Sequence, residues 1–202
     1  MDTIANFRPI CRRAILYTVP GEWCINRSRE GIISVNKKAP AFAAESGLVA
    51  LLREPTCLVG VGNPLRGDDG VGPWIVGAVR DAVSGTSLRA VDAQDVPENF
   101  VPGIARGDCR NVVFIDAVAA DGVPGTVVFG PLADFAEEEG FSTHKLALSM
   151  SRKFLEAAGK KVFLLGIVPA SLEFGEGLTA EIRRTAAALR DVILRAAASP
   201  RD

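Results

Sequence analysis

The chain has 202 residues, of which 48% are hydrophobic and 23% are charged, and its formal net charge at pH 7 is −1. This length and composition are typical of one globular domain, and the nearly balanced charge argues against binding to nucleic acid or to an anionic membrane surface. No apolar run in the sequence approaches the length of a membrane span. The four cysteines form no C-x-x-C pair, which favours a reducing cytoplasm, with Cys57 as a buried strand residue. We therefore expect a cytoplasmic protein, and a monomer.

Residues 1–54 differ from the rest of the chain. They carry more basic than acidic side chains, whereas the remainder carries more acidic ones. Their apolar residues show no sustained period, and prolines and glycines interrupt them, so only a short strand at 32–35 and a helical turn at 47–53 are indicated. We predict a poorly ordered N-terminal extension of residues 1–54, with an appended docking module as the alternative, followed by an α/β domain of residues 55–198. A chain that begins at Pro55 should then melt within a few degrees of the full chain.

From Thr56 onward, strand and helix patterns alternate. Strands are predicted near 57–59, 87–91, 111–115, 126–129 and 161–167, and the main helices near 74–83, 142–159 and 179–198. The helix after Ser142 carries Leu146, Met150 and Phe154 at four-residue spacing. The connection before the fourth strand is too short for a parallel crossover, so that strand should be antiparallel to its predecessor. The pattern predicts a three-layer α/β/α sandwich with a mixed, mostly parallel five-stranded sheet.

A glycine-rich loop, GVGNPLRGDDGVG, follows the first of these strands. The dinucleotide fingerprint would need a third glycine where Leu65 stands. The phosphate loop would need lysine and a hydroxyl residue after Gly67, where Asp68 and Asp69 stand instead. Two carboxylates repel a phosphate and attract a cation, so the loop is predicted to bind positive charge.

The predicted sheet gathers further polar residues beside this loop. Asp92 and Asp116 end the second and third strands, and His144 lies in the first turn of the helix that begins at Ser142. In an open α/β sheet, residues that follow successive strands converge on one crevice. A helix N-terminus disfavours protonated imidazole, which would leave a neutral nitrogen able to bind a metal. Two carboxylates, from Asp69 and Asp116, and one imidazole suit a borderline divalent ion such as nickel or zinc.

Each of these residues also has a simpler interpretation. Asp69 could be an N-cap, Asp116 could hold a turn through its side chain, and a single histidine is more often a surface or capping residue. Asp92 could bind the ribose hydroxyls of a dinucleotide, although the missing third glycine and the two loop acids count against that. The metal interpretation is favoured because Asp69, Asp116 and His144 are predicted to meet.

The loop pattern, G-x-G-N-x-x-x-x-D-D-G-x-G, resembles that of the hydrogenase maturation proteases. These enzymes remove a C-terminal peptide from the precursor of the nickel-iron hydrogenase large subunit. Four later segments resemble further motifs of the family: Asp92 with Pro97-Glu98-Asn99, then VVFIDAV, FSTHKLAL and LLGIVPASLEFGEGLT. The resemblance therefore extends from about Thr56 to the last helix.

The resemblance implies that Asp69, Asp116 and His144 are the metal-binding and catalytic residues. The residues expected to support them are Gly60, Gly62, Asn63, Asp68, Gly70 and Asp92. The metal would be nickel carried by the substrate, and other divalent ions could substitute for it. The sequence departs from the family pattern at Gln94 and Asp95, where members often have glycine and a hydroxyl residue. This departure bears on the shape of that loop and on the choice of hydrogenase partner, and it is not expected to affect the metal ligands.

The sequence contains neither a G-x-S-x-G nucleophile elbow nor an H-E-x-x-H zinc helix. No cysteine comes with a positioned basic partner, so a covalent nucleophile is not expected. What the resemblance implies is a nickel-recognising, aspartic-type endopeptidase that acts on a hydrogenase large-subunit precursor, with Asp68 and Asp92 as the nearest candidates for holding a water. A nucleotide-binding α/β domain and a non-catalytic nickel-binding accessory protein of hydrogenase maturation are the alternatives.

Overall fold

The computed structural model describes residues 15–17, 24–27, 33–36, 42–120, 122–135, 142 and 144–198, with side chains from Gly47 onward. The strands are β1 Ile15–Tyr17, β2 Cys24–Arg27, β3 Ile33–Asn36, β4 Thr56–Val61, β5 Leu88–Gln94, β6 Asn111–Ala117, β7 Val127–Pro131 and β8 Lys161–Ile167. The α-helices are α1 Phe42–Leu52, α2 Val71–Val83, α3 Val101–Arg106, α4 Lys145–Ala157 and α5 Ala180–Ala198. Short 3-10 helices span Gly67–Gly70, Pro97–Asn99 and Leu132–Asp134.

The main sheet has the strand order β1-β7-β8-β6-β4-β5. Strands β5, β4, β6 and β8 are parallel, and β7 runs antiparallel to β8, so the predicted mixed sandwich and the predicted direction of β7 are confirmed. All five predicted strands are present. At the outer edge of β7, the three residues of β1 pair antiparallel and add a sixth strand. The sequence does not predict β1, because three residues are too few to show an alternation.

The two faces of the sheet bury two separate apolar cores. Leu58 and Ile115 face the core beneath α1, α2 and α5, whereas Val59 and Phe114 face the core beneath α3 and α4. Every residue of the two central strands β4 and β6 is buried, as expected for parallel strands covered by helices on both sides. The central strands are therefore fixed in position, and their carboxyl ends carry the polar residues described below.

Helix α4 presents a different face to the core from the one that its most regular spacing indicates. Leu148 and Leu155 are buried, whereas Leu146, Met150 and Phe154 are 76%, 62% and 54% exposed. The helix carries two apolar stripes, and the four-residue spacing alone does not indicate which of them meets the sheet. In α5, by contrast, the predicted apolar face with Ile182, Leu189 and Ile193 is buried.

Helix α1 lies within the predicted extension and packs on the α/β domain. Leu48 and Leu52 are 5% and 1% exposed and share a core with Ile193 of α5. The Thr56 hydroxyl donates a hydrogen bond to the carbonyl of Leu51 at 3.0 Å. The boundary at residue 55 stays a prediction, but these contacts change the expected effect of removing residues 1–54 on stability.

We expect a chain that begins at Pro55 to melt on the order of 10 °C below the full chain, because loss of each buried leucine costs about 2–5 kcal/mol. Thermal unfolding followed by circular dichroism measures the difference. A chain that begins at Ala41 keeps α1 and removes β1–β3, so it isolates the contribution of the helix. Equal melting temperatures for the Pro55 chain and the full chain would show that α1 does not contribute to the stability of the domain.

None of the helices in the described part of the chain has the length and apolar character needed to cross a membrane. Cys57 is a buried strand residue, as predicted, and it and Cys109 are free thiols. Cys11 and the side chain of Cys24 lie outside the described residues.

Candidate active site

Two glycines let the loop after β4 fold back onto the strand. A Cβ at Gly60 would lie 2.5 Å from the carbonyl oxygen of Gly72, at the start of α2. Gly62 has φ +122°, and a Cβ there would lie 1.8 Å from the carbonyl oxygen of Asp69. Any side chain at either position would push the 3-10 turn away from the sheet. These glycines therefore place Asp68 and Asp69 against the carboxyl end of β4.

The first loop acid, Asp68, is fully buried and holds the segment between β8 and α5. Its carboxylate accepts hydrogen bonds from the backbone N–H groups of Ala170, Ser171 and Thr179 at 2.9, 3.0 and 2.7 Å. The Thr179 hydroxyl donates a fourth at 3.0 Å. These contacts give Asp68 a structural role rather than the water-holding role that the sequence suggests.

The second loop acid, Asp69, faces the helix that carries the histidine. It is 4% exposed, and its Oδ2 accepts the backbone N–H of Asn63 at 2.8 Å. The same oxygen lies 3.8 Å from Nε2 of His144. Neither the 3-10 turn nor α2 has a side-chain cap hydrogen bond, so Asp69 does not act as the N-cap that was its simpler interpretation.

His144 is the N-cap residue of α4, which begins at Lys145 and not at Ser142 as predicted. Its backbone N–H donates to the Ser142 hydroxyl oxygen at 3.0 Å. The side chain is 12% exposed, and among the described residues its Nε2 has no hydrogen-bond partner although the atom is enclosed. An enclosed ring nitrogen without a partner is available to a ligand.

Asp116 lies within β6 and is fully buried. Its Oδ2 accepts the hydroxyl of Ser142 at 2.5 Å, while its Oδ1 is enclosed and has no partner among the described residues. Its side chain thus contacts the residue that positions His144 and does not hold a turn of its own strand. Burial raises the pKa of Asp116 to about 6, although the Ser142 hydroxyl and the charge of His144 act in the opposite direction.

The end of β5 brings a further acid to the site. The pairing of β5 with β4 shifts between Gly60 and Val61, and Gln94 has φ +46°. The next residue, Asp95, has its Oδ1 3.9 Å from Nε2 of His144. Its Oδ2 accepts the side-chain amide of Asn63 at 2.9 Å. Asp92, two residues before the end of β5, has an enclosed Oδ1 without a partner among the described residues.

The carboxylates and the imidazole affect each other's protonation. Asp69 raises the pKa of His144, with Asp116 and Asp95 acting in the same direction, while burial lowers it. Burial alone would raise the pKa of Asp69, but His144, the N–H of Asn63 and Arg66 bring it below its ordinary value. The surrounding acids therefore raise the pKa of His144, whereas the helix N-terminus is expected to disfavour the protonated imidazole; that this imidazole is neutral stays a prediction.

Among the described residues, the metal-ligand atoms that lie within 4.8 Å of one another belong to Asp69, Asp95 and His144. The predicted set had Asp116 in place of Asp95. Asp116 does not belong to this group, although its enclosed Oδ1 has no partner among the described residues. Two carboxylates and an imidazole fit a borderline divalent cation. The sequence marks Asp95 only as a departure from a family pattern, and it marks Ser142 as the start of a helix and part of the FSTHKLAL segment without indicating its contact with Asp116.

Comparisons with known proteins identify the family to which the chain is similar. A sequence model of the hydrogenase maturation protease family matches residues 80–196 of the chain. The hydrogenase 3 maturation protease of Escherichia coli K12 is 29% identical, over 62% of this chain and 80% of that protein.

Solved structures show the same fold. A NiFe hydrogenase maturation protease from Thermococcus kodakarensis KOD1 superposes with a TM-score of 0.65 at 22% identity, covering 76% of this chain and 99% of that one. An Escherichia coli endopeptidase, HycI, superposes with a TM-score of 0.60 at 27% identity, covering 67% of this chain and 86% of that one. The resemblance found in the sequence is thereby confirmed, and the chain belongs to the hydrogenase maturation proteases.

Proposed function

We propose that this protein is an endopeptidase that removes the C-terminal extension of a nickel-iron hydrogenase large-subunit precursor after nickel insertion. It recognises the nickel that the precursor holds, and it acts in the cytoplasm as a monomer. The observation that carries the proposal is the convergence of Asp69 and His144, with Nε2 of His144 free of hydrogen bonds among the described residues, in a member of this protease family.

The surroundings of His144 argue against a serine mechanism. A Ser-His-Asp triad needs the serine hydroxyl hydrogen-bonded to the imidazole. Here the Ser142 hydroxyl donates to Asp116, and Ser142 accepts the backbone N–H of His144. Cys57 and Cys109 are buried in the core beneath α3 and α4. Carboxylates and the imidazole are thus the groups available to orient the scissile bond and its attacking water.

The side chains of the site have different roles in binding and positioning the precursor. Asp69 and His144 contact the nickel of the precursor and so fix the start of its C-terminal tail in the crevice. Asp116 holds Ser142, which in turn holds the backbone of His144, so this buried acid sets the position of the imidazole. Asn63 fixes the orientation of the Asp69 carboxylate through its backbone N–H. A negative cluster of this kind disfavours the phosphates of a nucleotide, which weakens that alternative.

Asp69→Asn tests the proposal, because it keeps the size of the side chain and removes its charge. We expect no processing by Asp69→Asn, with thermal unfolding close to that of the wild type. The wild-type enzyme should shorten a nickel-loaded precursor and leave a nickel-free precursor intact, as seen on a denaturing gel. The exposed Asp81→Asn on α2 is the matched control and should process normally.

Each alternative gives a different result in the same assay. Equal cleavage of both precursors would contradict recognition of substrate nickel. A wild-type enzyme that binds the nickel-loaded precursor and never shortens it would be a non-catalytic accessory protein. A thermal shift with nucleotides and none with nickel would favour a nucleotide-binding domain.

A further inference from the structure

We infer that Asp95 is a further cation-contacting residue of this site, beside Asp69 and His144. The inference rests on the proposed function only in taking nickel as the ion. The ligand atoms of the three residues lie within 4.8 Å of one another, a spacing that allows one ion to contact all three.

The backbone at the end of β5 directs Asp95 into the site. An irregularity in strand pairing re-aims the side chains that follow it, and here the register changes between Gly60 and Val61. Gln94 adopts φ +46°, a conformation that a non-glycine residue rarely takes. The N–H of Gly62 donates to the Gln94 carbonyl at 3.1 Å and holds this conformation. Gln94, the residue with this strained backbone, directly precedes Asp95.

One asparagine orients both carboxylates. The backbone N–H of Asn63 donates to Oδ2 of Asp69, and its side-chain amide donates to Oδ2 of Asp95. The Asn63 side-chain oxygen accepts the N–H of Leu65 at 2.9 Å, which fixes which way the amide points. The Oδ1 atom of Asp95 is left facing Nε2 of His144.

Two enclosed atoms point independently to a ligand. Nε2 of His144 and Oδ1 of Asp116 have no hydrogen-bond partner among the described residues, and Asp116 is fully buried. Buried polar atoms are nearly always paired. The Ser142 hydroxyl that donates to Oδ2 of Asp116 also accepts the backbone N–H of His144, so this buried acid lies next to the segment that carries the imidazole. A divalent cation would satisfy these groups.

The experiment is a calorimetric titration of the full chain with nickel chloride alone. We expect the wild type to bind one Ni²⁺, and Asp95→Asn to weaken binding by about tenfold or more. Asp95→Asn keeps the acceptor for Asn63 and removes only the charge. Asp95→Ser places a hydroxyl there and should weaken binding similarly, whereas Asp81→Asn should match the wild type. Because Asp95 has a side chain that is 49% exposed, neither variant should alter the melting temperature of the metal-free chain.

Wild-type affinity in both Asp95 variants, or no binding of free Ni²⁺ by the wild type, would overturn the inference. Cleavage of the nickel-loaded precursor is measured alongside. If the wild type cleaves and the Asp95 variants bind Ni²⁺ normally, the proposed function stands and this inference fails. If the variants lose affinity and the wild type never cleaves, the inference stands and the proposed function fails.

Discussion

His144→Ala should abolish processing of the nickel-loaded precursor and change the free energy of unfolding by no more than about 1 kcal/mol. The imidazole Nε2 makes no hydrogen bond with the described residues, so its removal breaks none there. Among the described residues, the hydrogen bonds of the residue belong to its backbone, because its N–H donates to Ser142 and its carbonyl accepts the N–H of Leu148 at 2.9 Å. Its ring approaches Asp69 and Asp95 only to 3.8 and 3.9 Å. Alanine keeps both backbone hydrogen bonds. Activity is measured by the shortening of the precursor and stability by denaturant unfolding of the metal-free chain.

A different pattern would assign the histidine another role. If His144 were a packing residue, His144→Ala would lower the melting temperature and activity would fall only in proportion to the folded fraction. His144→Gln serves as the control, since it fills similar space without an imidazole nitrogen. Full activity in His144→Gln would contradict a ligand role.

The strands and the glycine loop follow from local pattern alone. β4, β6 and β8 are short apolar runs rich in branched residues, and such runs are readily recognised when glycine and charged residues bound them. Gly60 and Gly62 are required because the backbone itself makes the close contacts. Such features are encoded within a few residues, so the sequence alone predicts them.

The roles of the side chains at the site depend on contacts between residues far apart in the chain. Asp68 and Asp69 are adjacent and chemically identical, yet one contacts the segment 170–179 and the other contacts His144. Asp95 reaches the site only because the register of β5 shifts against β4. The link from Asp116 to Ser142 crosses 26 residues. The sequence predicts that Asp69 and His144 meet, but it carries no signal for the contacts of Asp68 and Asp95 or for the link from Asp116 to Ser142.

The same limit applies to packing. The most regular stripe of α4 is exposed, and the buried stripe includes Ser151 beside Leu148 and Leu155. Which stripe meets the sheet depends on where α3 and β8 lie, and these neighbours are set by the topology of the whole sheet. The sequence does not indicate helix α1 as a core element for the same reason, since Leu48 and Leu52 share their core with residues of α5.

Asp68→Asn should destabilise the fold most among single changes at this site, by about 3 kcal/mol or more. The carboxylate accepts four hydrogen bonds, with Oδ1 taking the N–H of Thr179 and Oδ2 taking the other three. An amide nitrogen has no acceptor capacity. In either orientation it therefore faces at least one backbone N–H and leaves that donor unpaired in a fully buried place.

Asp69→Asn is the matched control for this change, because it makes the same substitution one residue along the chain. It should unfold within about 1 kcal/mol of the wild type, since Asp69 accepts one backbone N–H that an amide oxygen can also accept. Thr179→Val should give an intermediate loss of about 1–2 kcal/mol, because it removes only the hydroxyl donor. The free energies of unfolding of the three variants are measured by urea denaturation. Equal stability of Asp68→Asn and Asp69→Asn would show that the segment after β8 is held by other contacts and that Asp68 is free to act in the reaction.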